Sequence, residues 1–396
     1  MNTKKVCKDV IWVGADDRRL ALFENLYALP HGVSYNSYLI MDEKTVLMDT
    51  ADISVEDVFF KNIERTLNGR PLDYVVVQHM EPDHSATLAL LIEKYPNVTV
   101  VCNAKTETMI HQFFGSQLTI SPMLVKEGDV LQTGNHMLQF IMAPMVHWPE
   151  VMMTYDQTSK ILFSADAFGS FGALDGAIFA DEVDFQGDYL EEARRYYANI
   201  VGKYGVPVQS VLKKAADLDI QMICPLHGLT WRTDLNFLLE KYQRWSAYQP
   251  EERAVLIAYA SMYGNTAKVA EKIASCLVEM GMPVRVYDLS NTGRDFVLGE
   301  VFRASHLVLA AATHDGGVFE PMEYLLRDMI NHGMQGRKVA LIENGTWAPM
   351  AAKHMQTLLE NMKDMEIIQP VLSIKSTLTP AQEADVDLLC HAIVAS

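Results

Sequence analysis

Long apolar runs are missing from this 396-residue chain. Nothing approaches the roughly 18 consecutive apolar residues of a membrane-spanning helix. The opening MNTKKVCKDVIWVG has no apolar stretch long enough for a secretory signal. Basic residues are scarce too: 33 Lys and Arg against 50 Asp and Glu leave a net charge of −17. Nucleic acid and anionic membrane surfaces require clustered cations, so both are excluded as partners. Cysteine is limited to five widely spaced positions, Cys7, Cys102, Cys224, Cys276 and Cys390, with no CxxC pair. That spacing excludes a zinc knuckle, a rubredoxin-type iron site and a dithiol redox motif. Free thiols fit a reducing compartment, and together these absences predict a cytoplasmic protein. Internal repeats and low-complexity stretches are absent as well.

What remains is a globular composition, 49% apolar and 21% charged, in a chain too long for one ordinary core. The first half reads as short strands joined by turns, including Asp9–Val13, Ser37–Ile40, Thr45–Asp49, Tyr74–Gln78, Val98–Cys102, Gln139–Ala143, Met152–Tyr155 and Ile161–Ala165. Helices are predicted from Ser85 and over Leu190–Ile200, Val206–Leu218 and Asn236–Trp245. The polar stretch Ala247–Arg253 then marks a boundary, giving domains of residues 1–250 and 251–396. Beyond it, strands (Val255–Tyr259, Val284–Leu289, His306–Ala312, Lys338–Glu343, Ile367–Leu372) alternate with helices (Ala267–Met280, Glu320–Ile330, Ala351–Met362). Such alternation predicts a doubly wound parallel sheet, whose ligands sit at the carboxyl ends of strands.

Two constellations carry chemistry. The first is VVVQHMEPDHS, where His79, Glu81, Asp83 and His84 follow directly on a buried strand. A strand end fixes the backbone, so closely spaced side chains can converge. Imidazole with carboxylate suits Fe, Mn or Zn. Four such residues in six positions exceed what one metal takes from one loop. His147, Asp166 and His227 each fall at or just after the end of an apolar segment. Any one of them alone could be a half-buried histidine or a turn cap. The combination, four His and three carboxylates, predicts a binuclear site with one bridging carboxylate.

The second constellation opens the second half. The strand VLIAYA runs into Ser261, Met262, Tyr263, Gly264, Asn265 and Thr266, and then a helix. Backbone N–H groups of such a loop, with the helix N-terminus and the hydroxyls of Ser261 and Thr266, can bind a phosphate. The loop holds no Lys or Arg, which excludes a nucleoside-triphosphate loop of the GxxxxGK type, and no GxGxxG is present. The plain alternative is an ordinary helix capped by Asn265 or Thr266. Two further loops follow strands: Thr313, His314, Asp315, Gly316 and Gly317, then Asn344, Gly345, Thr346, Trp347 and Ala348. Glycines there allow close backbone approach to a planar ring, and Trp347 could either stack on it or be a half-exposed loop residue.

The pattern His79-x-Glu81-x-Asp83-His84 resembles the HxHxDH loop of the metallo-β-lactamase superfamily, with Glu81 where the hydrolases have a second His. The added carboxylate hardens the site and favours redox-active iron over hydrolytic zinc. HxExDH is the pattern of the flavodiiron proteins. Residues 254–396, with SxYGNT and the two loops, resemble the flavodoxins, which implies FMN; the Asn344–Ala348 loop departs from the usual type in lacking a bulky aromatic at its start. The fusion, in this order, resembles the flavodiiron architecture over almost the whole length. The implied fold is α/β with α+β: an αββα metallo-β-lactamase-like sandwich followed by a flavodoxin-like doubly wound sheet.

The resemblance further implies two Fe ions per chain, one on His79, Glu81 and His147, the other on Asp83, His84 and His227, with Asp166 bridging and His84 the most variable ligand. It implies a terminal reductase of O2 to water, of NO to N2O, or of both. FMN would relay electrons from an external donor, a rubredoxin, since the chain carries one flavodoxin-like domain and neither a rubredoxin nor an NAD(P)H module. A head-to-tail homodimer, or a dimer of dimers, would bring the FMN of one subunit to the irons of another. Tyr27, His31, Trp148, Phe168 and Phe171 are candidate pocket residues. Two other readings stay open at this stage. One is a metal-dependent hydrolase with a regulatory flavodoxin domain. The other is an electron carrier with a vestigial metal site.

Overall fold

The computed structural model describes residues 3–115 and 118–396. The chain divides into two compact units, Met1–Tyr196 with Val206–Tyr242, and Tyr197–Gly205 with Gln243–Ser396. The chain passes between the units three times, and the helix Leu235–Ser246 carries the last crossing.

Among the described residues the first unit holds two large sheets and two two-stranded ones, Ala15–Asp17 with Val33–Tyr35 and Leu22–Phe23 with Tyr27–Ala28. One large sheet runs in the order Lys4–Lys5, Val10–Trp12, Tyr38–Met41, Thr45–Met48, Tyr74–Val76, Thr99–Cys102 and Met123–Leu124. It is antiparallel as far as Thr45–Met48 and parallel beyond. The other runs Val130–Gln132, Met137–Met142, Met152–Asp156, Ile161–Phe163 and Met222–Cys224. Tyr38 of the first sheet meets Phe163 of the second, ring centroids 5.5 Å apart, so the two sheets share a core. The strands are short and, inside the large sheets, buried at every position, as Thr45–Met48, Met152–Asp156 and Ile161–Phe163 are. A strand covered on both faces loses the alternating pattern and reads as a continuous apolar run.

Several helices differ from the sequence expectation. The expected Leu190–Ile200 is an α-helix over Leu190–Tyr196 and a π-helix over Tyr197–Val201, and Arg294–Arg303 and Glu383–Ala395 are additional. Glu56–Leu67 forms because Phe59, Ile63 and Leu67, spaced by four, bury one face, and Asn68 in the left-handed region ends it. Ala104–Phe114 starts where the Asn103 side chain accepts hydrogen bonds from Lys105 and Thr106 N–H. Neither was anticipated. The helix expected from Ser85 is two pieces, Pro82–Ser85 and Leu88–Lys94. Pro82 opens a single turn inside the metal-ligand loop. Thr87 interrupts the helix because its hydroxyl donates to the Ala51 carbonyl.

The second unit is a parallel sheet in the order Val284–Asp288, Glu252–Ala260, Ala304–His314, Lys338–Asn344 and Glu366–Ile374, with Gly317–Val318 folded back as a short hairpin. Five helices connect it: Asn265–Glu279, Arg294–Arg303, Glu320–Asn331, Ala351–Leu359 and Glu383–Ala395. The strand order reverses beside the first strand, the place where such sheets bind ligands. Its core is built from Val255, Ile257, Val308, Ala340 and Ile342 against Val269, Ile273 and Leu277 on one helix and Val386, Leu389 and Ile393 on another.

Candidate metal centre and strand-end cavity

The seven predicted ligands come together at one end of the two sheets of the first unit. His79 and Glu81 follow the strand Tyr74–Val76, and Asp83 and His84 lie on the turn Pro82–Ser85. His147 precedes Met152–Asp156, Asp166 follows Ile161–Phe163, and His227 follows Met222–Cys224. All seven are essentially buried, Asp83 the least so at 9% exposure.

Their geometry divides in two. His79, Glu81, His147 and Asp166 form one group, and Asp83, His84 and His227 another, each with ligand atoms within 4.8 Å of one another. Asp166 faces both. Its Oδ2 lies 3.2 Å from His79 Nε2 and 3.0 Å from His147 Nε2. Its Oδ1 lies 3.1 Å from His84 Nε2 and 3.7 Å from His227 Nε2. Glu81 Oε2 closes the first group, 3.2 Å from His79 and 3.0 Å from His147. Asp83 Oδ2 closes the second, 3.3 Å from His84 and 3.2 Å from His227.

These residues fit a pair of cations. Both oxygens of Asp83 and Oδ1 of Asp166 are buried without a hydrogen-bond donor, a costly state for a carboxylate unless a cation completes it. His84 and His227 aim their Nε2 atoms at each other across 2.9 Å. Two imidazole lone pairs at that distance repel unless a positive charge sits between or beside them. Mixed imidazole and carboxylate donors, without thiolate, match Fe, Mn or Zn.

The facing imidazoles and carboxylates shift one another's proton affinities. Burial alone would push His79, His84 and His147 down, but the facing carboxylates reverse this. Asp166, Glu150 and Glu81 hold His79 well above its ordinary value. Asp83 and Asp166 raise His84 to about 9, and Asp166 and Glu81 raise His147 to about 9. In turn Glu81 and Asp166, which burial would raise, are held low by the imidazoles.

Residues outside the predicted set orient the ligands. Glu150 Oε1 accepts from His79 Nδ1 at 2.8 Å and from Met80 N–H at 2.9 Å. The Ser34 carbonyl accepts from His227 Nδ1 at 2.7 Å. Each bond fixes a tautomer that leaves Nε2 free for a metal. Asp49 accepts from Gln78 N–H and the Gln78 side-chain amide, so it sets the loop that carries His79; burial pushes its carboxyl up to about 6. Neither carboxylate carries a sequence signature of this role. Asp49 ends an apolar strand, as Asp166 does, and Glu150 lies three positions after His147. Glu24 also reaches Glu81, and burial together with that contact pushes its carboxyl up to about 8.

The candidate pocket residues are placed unequally. Trp148 meets His79 edge-on at 5.4 Å. Phe171 packs on Phe23 at 5.5 Å, and Phe23 on His227 at 5.4 Å; Tyr27 packs on Phe171. Phe168 stacks instead on Tyr242 at 4.3 Å, and His31 lines a neighbouring cavity with Arg18 and Phe171.

In the second unit, the three predicted loops surround a cavity of about 320 Å³ at the carboxyl ends of the strands. Ser261, Met262, Tyr263, Asn265, Thr266, Thr313, Asp315, Gly316, Asn344, Gly345, Thr346, Trp347 and Ala348 line it, joined by Ala312, Met350 and Ser376, which were not anticipated. Gly264, His314 and Gly317 are not among the lining residues. His314 packs instead on Phe319. Gly264 is the N-cap of Asn265–Glu279 with φ 88°, and no side chain caps that helix. The alternative of an Asn265 or Thr266 cap is therefore excluded, and the first N–H groups of the helix stay available to a phosphate. Thr313 Oγ1 accepts from Met350 and Ala351 N–H, while Asn344 pairs with Ser376 through both its amide atoms. These bonds tie the loops together. Tyr263 and Trp347 stand 93% and 89% exposed at the rim, free to cover a flat aromatic ligand.

Fold and sites define a class: a metallo-β-lactamase-like unit with a two-metal donor set, joined to a flavodoxin-like unit. Family models agree. One described as "ODP family beta lactamase" matches residues 33–228, and one described as "Flavodoxin" matches residues 257–387. The anaerobic nitric oxide reductase flavorubredoxin of Vibrio vulnificus is 33% identical over 353 residues, 87% of this chain and 70% of that protein. Rubredoxin oxygen:oxidoreductase from Desulfovibrio gigas superposes with a TM-score of 0.92 at 25% identity, over 100% of this chain and 98% of that one. The flavodiiron protein of Giardia intestinalis shares the fold, with a TM-score of 0.92 at 24% identity over 100% and 97% of the two chains. The chain belongs to the flavodiiron protein family.

Proposed function

We propose that this chain is an oxidoreductase that reduces O2 to water, NO to N2O, or both, at a binuclear iron centre, with FMN relaying electrons from an external rubredoxin-like protein. One observation carries the reading. Asp166 turns one oxygen to His79 and His147 and the other to His84, so a single carboxylate serves both halves of a seven-residue donor set. Glu81 in place of a second imidazole favours iron, and a hydrolase has no use for a strand-end flavin cavity. The names of the Vibrio and Desulfovibrio proteins support the two gases as substrates and a rubredoxin as donor.

When bound, reduced FMN and two ferrous ions would together supply four electrons, enough for one O2, while two NO need two. In this reading His79, Glu81 and His147 would hold one iron and Asp83, His84 and His227 the other, with Asp166 facing both groups. Glu150 and the Ser34 carbonyl keep His79 and His227 in the ligating tautomer. Trp148, Phe23 and Tyr35 present aromatic surface to the ligand imidazoles, which excludes bulk water and suits small, nearly apolar gases. Ser261 to Thr266 would hold the flavin phosphate, and the loops 313–317 and 344–348 would flank its ring. The metal chemistry thus falls within residues 1–250 and the flavin within 251–396. A head-to-tail homodimer or dimer of dimers, working in the cytoplasm, completes the proposal; no helix among the described residues is long and apolar enough to cross a membrane.

The test is anaerobic. The loaded protein is reduced, and flavin reoxidation and product are followed after adding O2 or NO separately. Reoxidation by at least one gas well above the rate of free FMN supports the reading. Free-flavin rates with both gases overturn it.

A further inference from the structure

The sequence carries no CxxC, yet the fold pairs two cysteines that lie far apart along it. Cys276 sits on the helix Asn265–Glu279 and Cys390 on the helix Glu383–Ala395. The two helices pack on each other in the second unit. Cys390 is fully buried in the core, and Cys276 packs partly buried against the same cluster. The two side chains are neighbours on facing helices, packed against the same core, and both cysteines are free. Neither touches the strand-end cavity, so neither has a part in the function proposed above.

We propose that Cys276 and Cys390 form an oxidisable dithiol, a modification site that closes to a disulfide on exposure to hydroperoxide. Their roles differ. Burial, with the neighbouring Cys276 thiol, pushes Cys390 well above the ordinary thiol range, so Cys390 stays protonated and is a poor first nucleophile. Cys276 is the less buried of the two and is therefore oxidised first. Its Sγ attacks the peroxide O–O bond, an S–O bond forms as O–O breaks, and the thiol proton leaves with the departing oxygen as water. Cys390 then attacks the sulfenic sulfur: S–S forms, S–O breaks, and its proton leaves with the hydroxyl as a second water. Two thiols lose two electrons, and hydrogen peroxide becomes two waters.

The bridge would staple the helix that follows the phosphate loop to the last helix of the unit. It would close a loop that includes four of the five parallel strands, which stabilises the folded state mainly by restricting the unfolded one. Cys102 and Cys224, buried in the first unit, are internal controls, since burial also pushes both thiols up.

The full-length holoprotein is treated with hydrogen peroxide, quenched with an alkylating reagent and digested without reductant. The expected result is loss of two of the five thiols, a cross-linked peptide pair containing Cys276 and Cys390, recovery of both thiols with dithiothreitol, and a higher unfolding temperature for the oxidised form. Cys276→Ser is expected to leave Cys390 reduced. Cys390→Ala is expected to let Cys276 be trapped as its sulfenic acid. Over-oxidation of Cys276 with Cys390 still free, thiol loss unchanged by Cys276→Ser, or no oxidation at either position would each overturn the proposal.

Discussion

Replacing Glu150 by Gln tests how the metal centre is held, because it changes a charge and almost no volume. Glu150 is buried, and its Oε1 accepts from His79 Nδ1 and Met80 N–H. The glutamine amide can keep both bonds through its oxygen but loses the negative charge. A hydrogen bond to a charged group is worth about 1.5–3 kcal/mol against about 1 for a neutral one. The expected loss is therefore about 1–2 kcal/mol, or roughly 5- to 30-fold in affinity, overlapping the range of about 10–100-fold known for groups that orient metal ligands. The loss falls on one metal only, since His84 and His227 do not contact Glu150. Glu150→Ala is expected to do more, because it strands two buried donors at about 1–3 kcal/mol each. The assay is an anaerobic titration of Fe(II) against a competing chelator, with FMN content as control. One weakened site beside one unchanged site is the predicted outcome. Two unchanged affinities, or equal weakening of both, would refute the reasoning.

Protons and metal compete for His84 and His147, both raised to about 9 in the metal-free site. Apparent metal affinity should climb from neutral pH to about 9 and then level off, with proton release detectable by an indicator in weak buffer; a flat profile would contradict this. Trp347→Ala should weaken FMN binding by about 1 kcal/mol, roughly fivefold, with unfolding unchanged because the ring is 89% exposed; lost stability with intact FMN binding would reverse the assignment. Burial, with Lys338 and Arg253 nearby, lowers His306 to about 4. Its folded value is depressed, so its contribution to stability is complete above the ordinary value near 6.5 and is lost as pH falls from there to about 4. His306→Gln should flatten the denaturation midpoint over that window relative to the parent, and parallel curves would show that the residue is silent.

The ligand cluster was legible because it is written locally. His79, Glu81, Asp83 and His84 occupy six consecutive positions after an apolar strand, and the three distant ligands each end such a segment. The groups that orient them were harder to see. Asp49 and Glu150 look like ordinary surface carboxylates in one dimension, and only burial against Gln78, His79 and Met80 gives them work. The Ser34 carbonyl has no sequence signature at all. Among elements, the regular alternation of the second unit came through. The helix Glu56–Leu67 did not, although Phe59, Ile63 and Leu67 carry its period. The paired thiols of Cys276 and Cys390 show the same limit: 114 positions separate them, and only packing joins them.

In the proposed function FMN would supply electrons to two metals that share Asp166. That claim is tested most directly by comparing the parent protein with Asp166→Asn, both reduced without air and then mixed with O2 or NO. The account predicts that the variant keeps its FMN, loses at least one metal, and reoxidises no faster than free flavin, while the parent turns over with at least one gas. A variant that retains the parent's rate would contradict it.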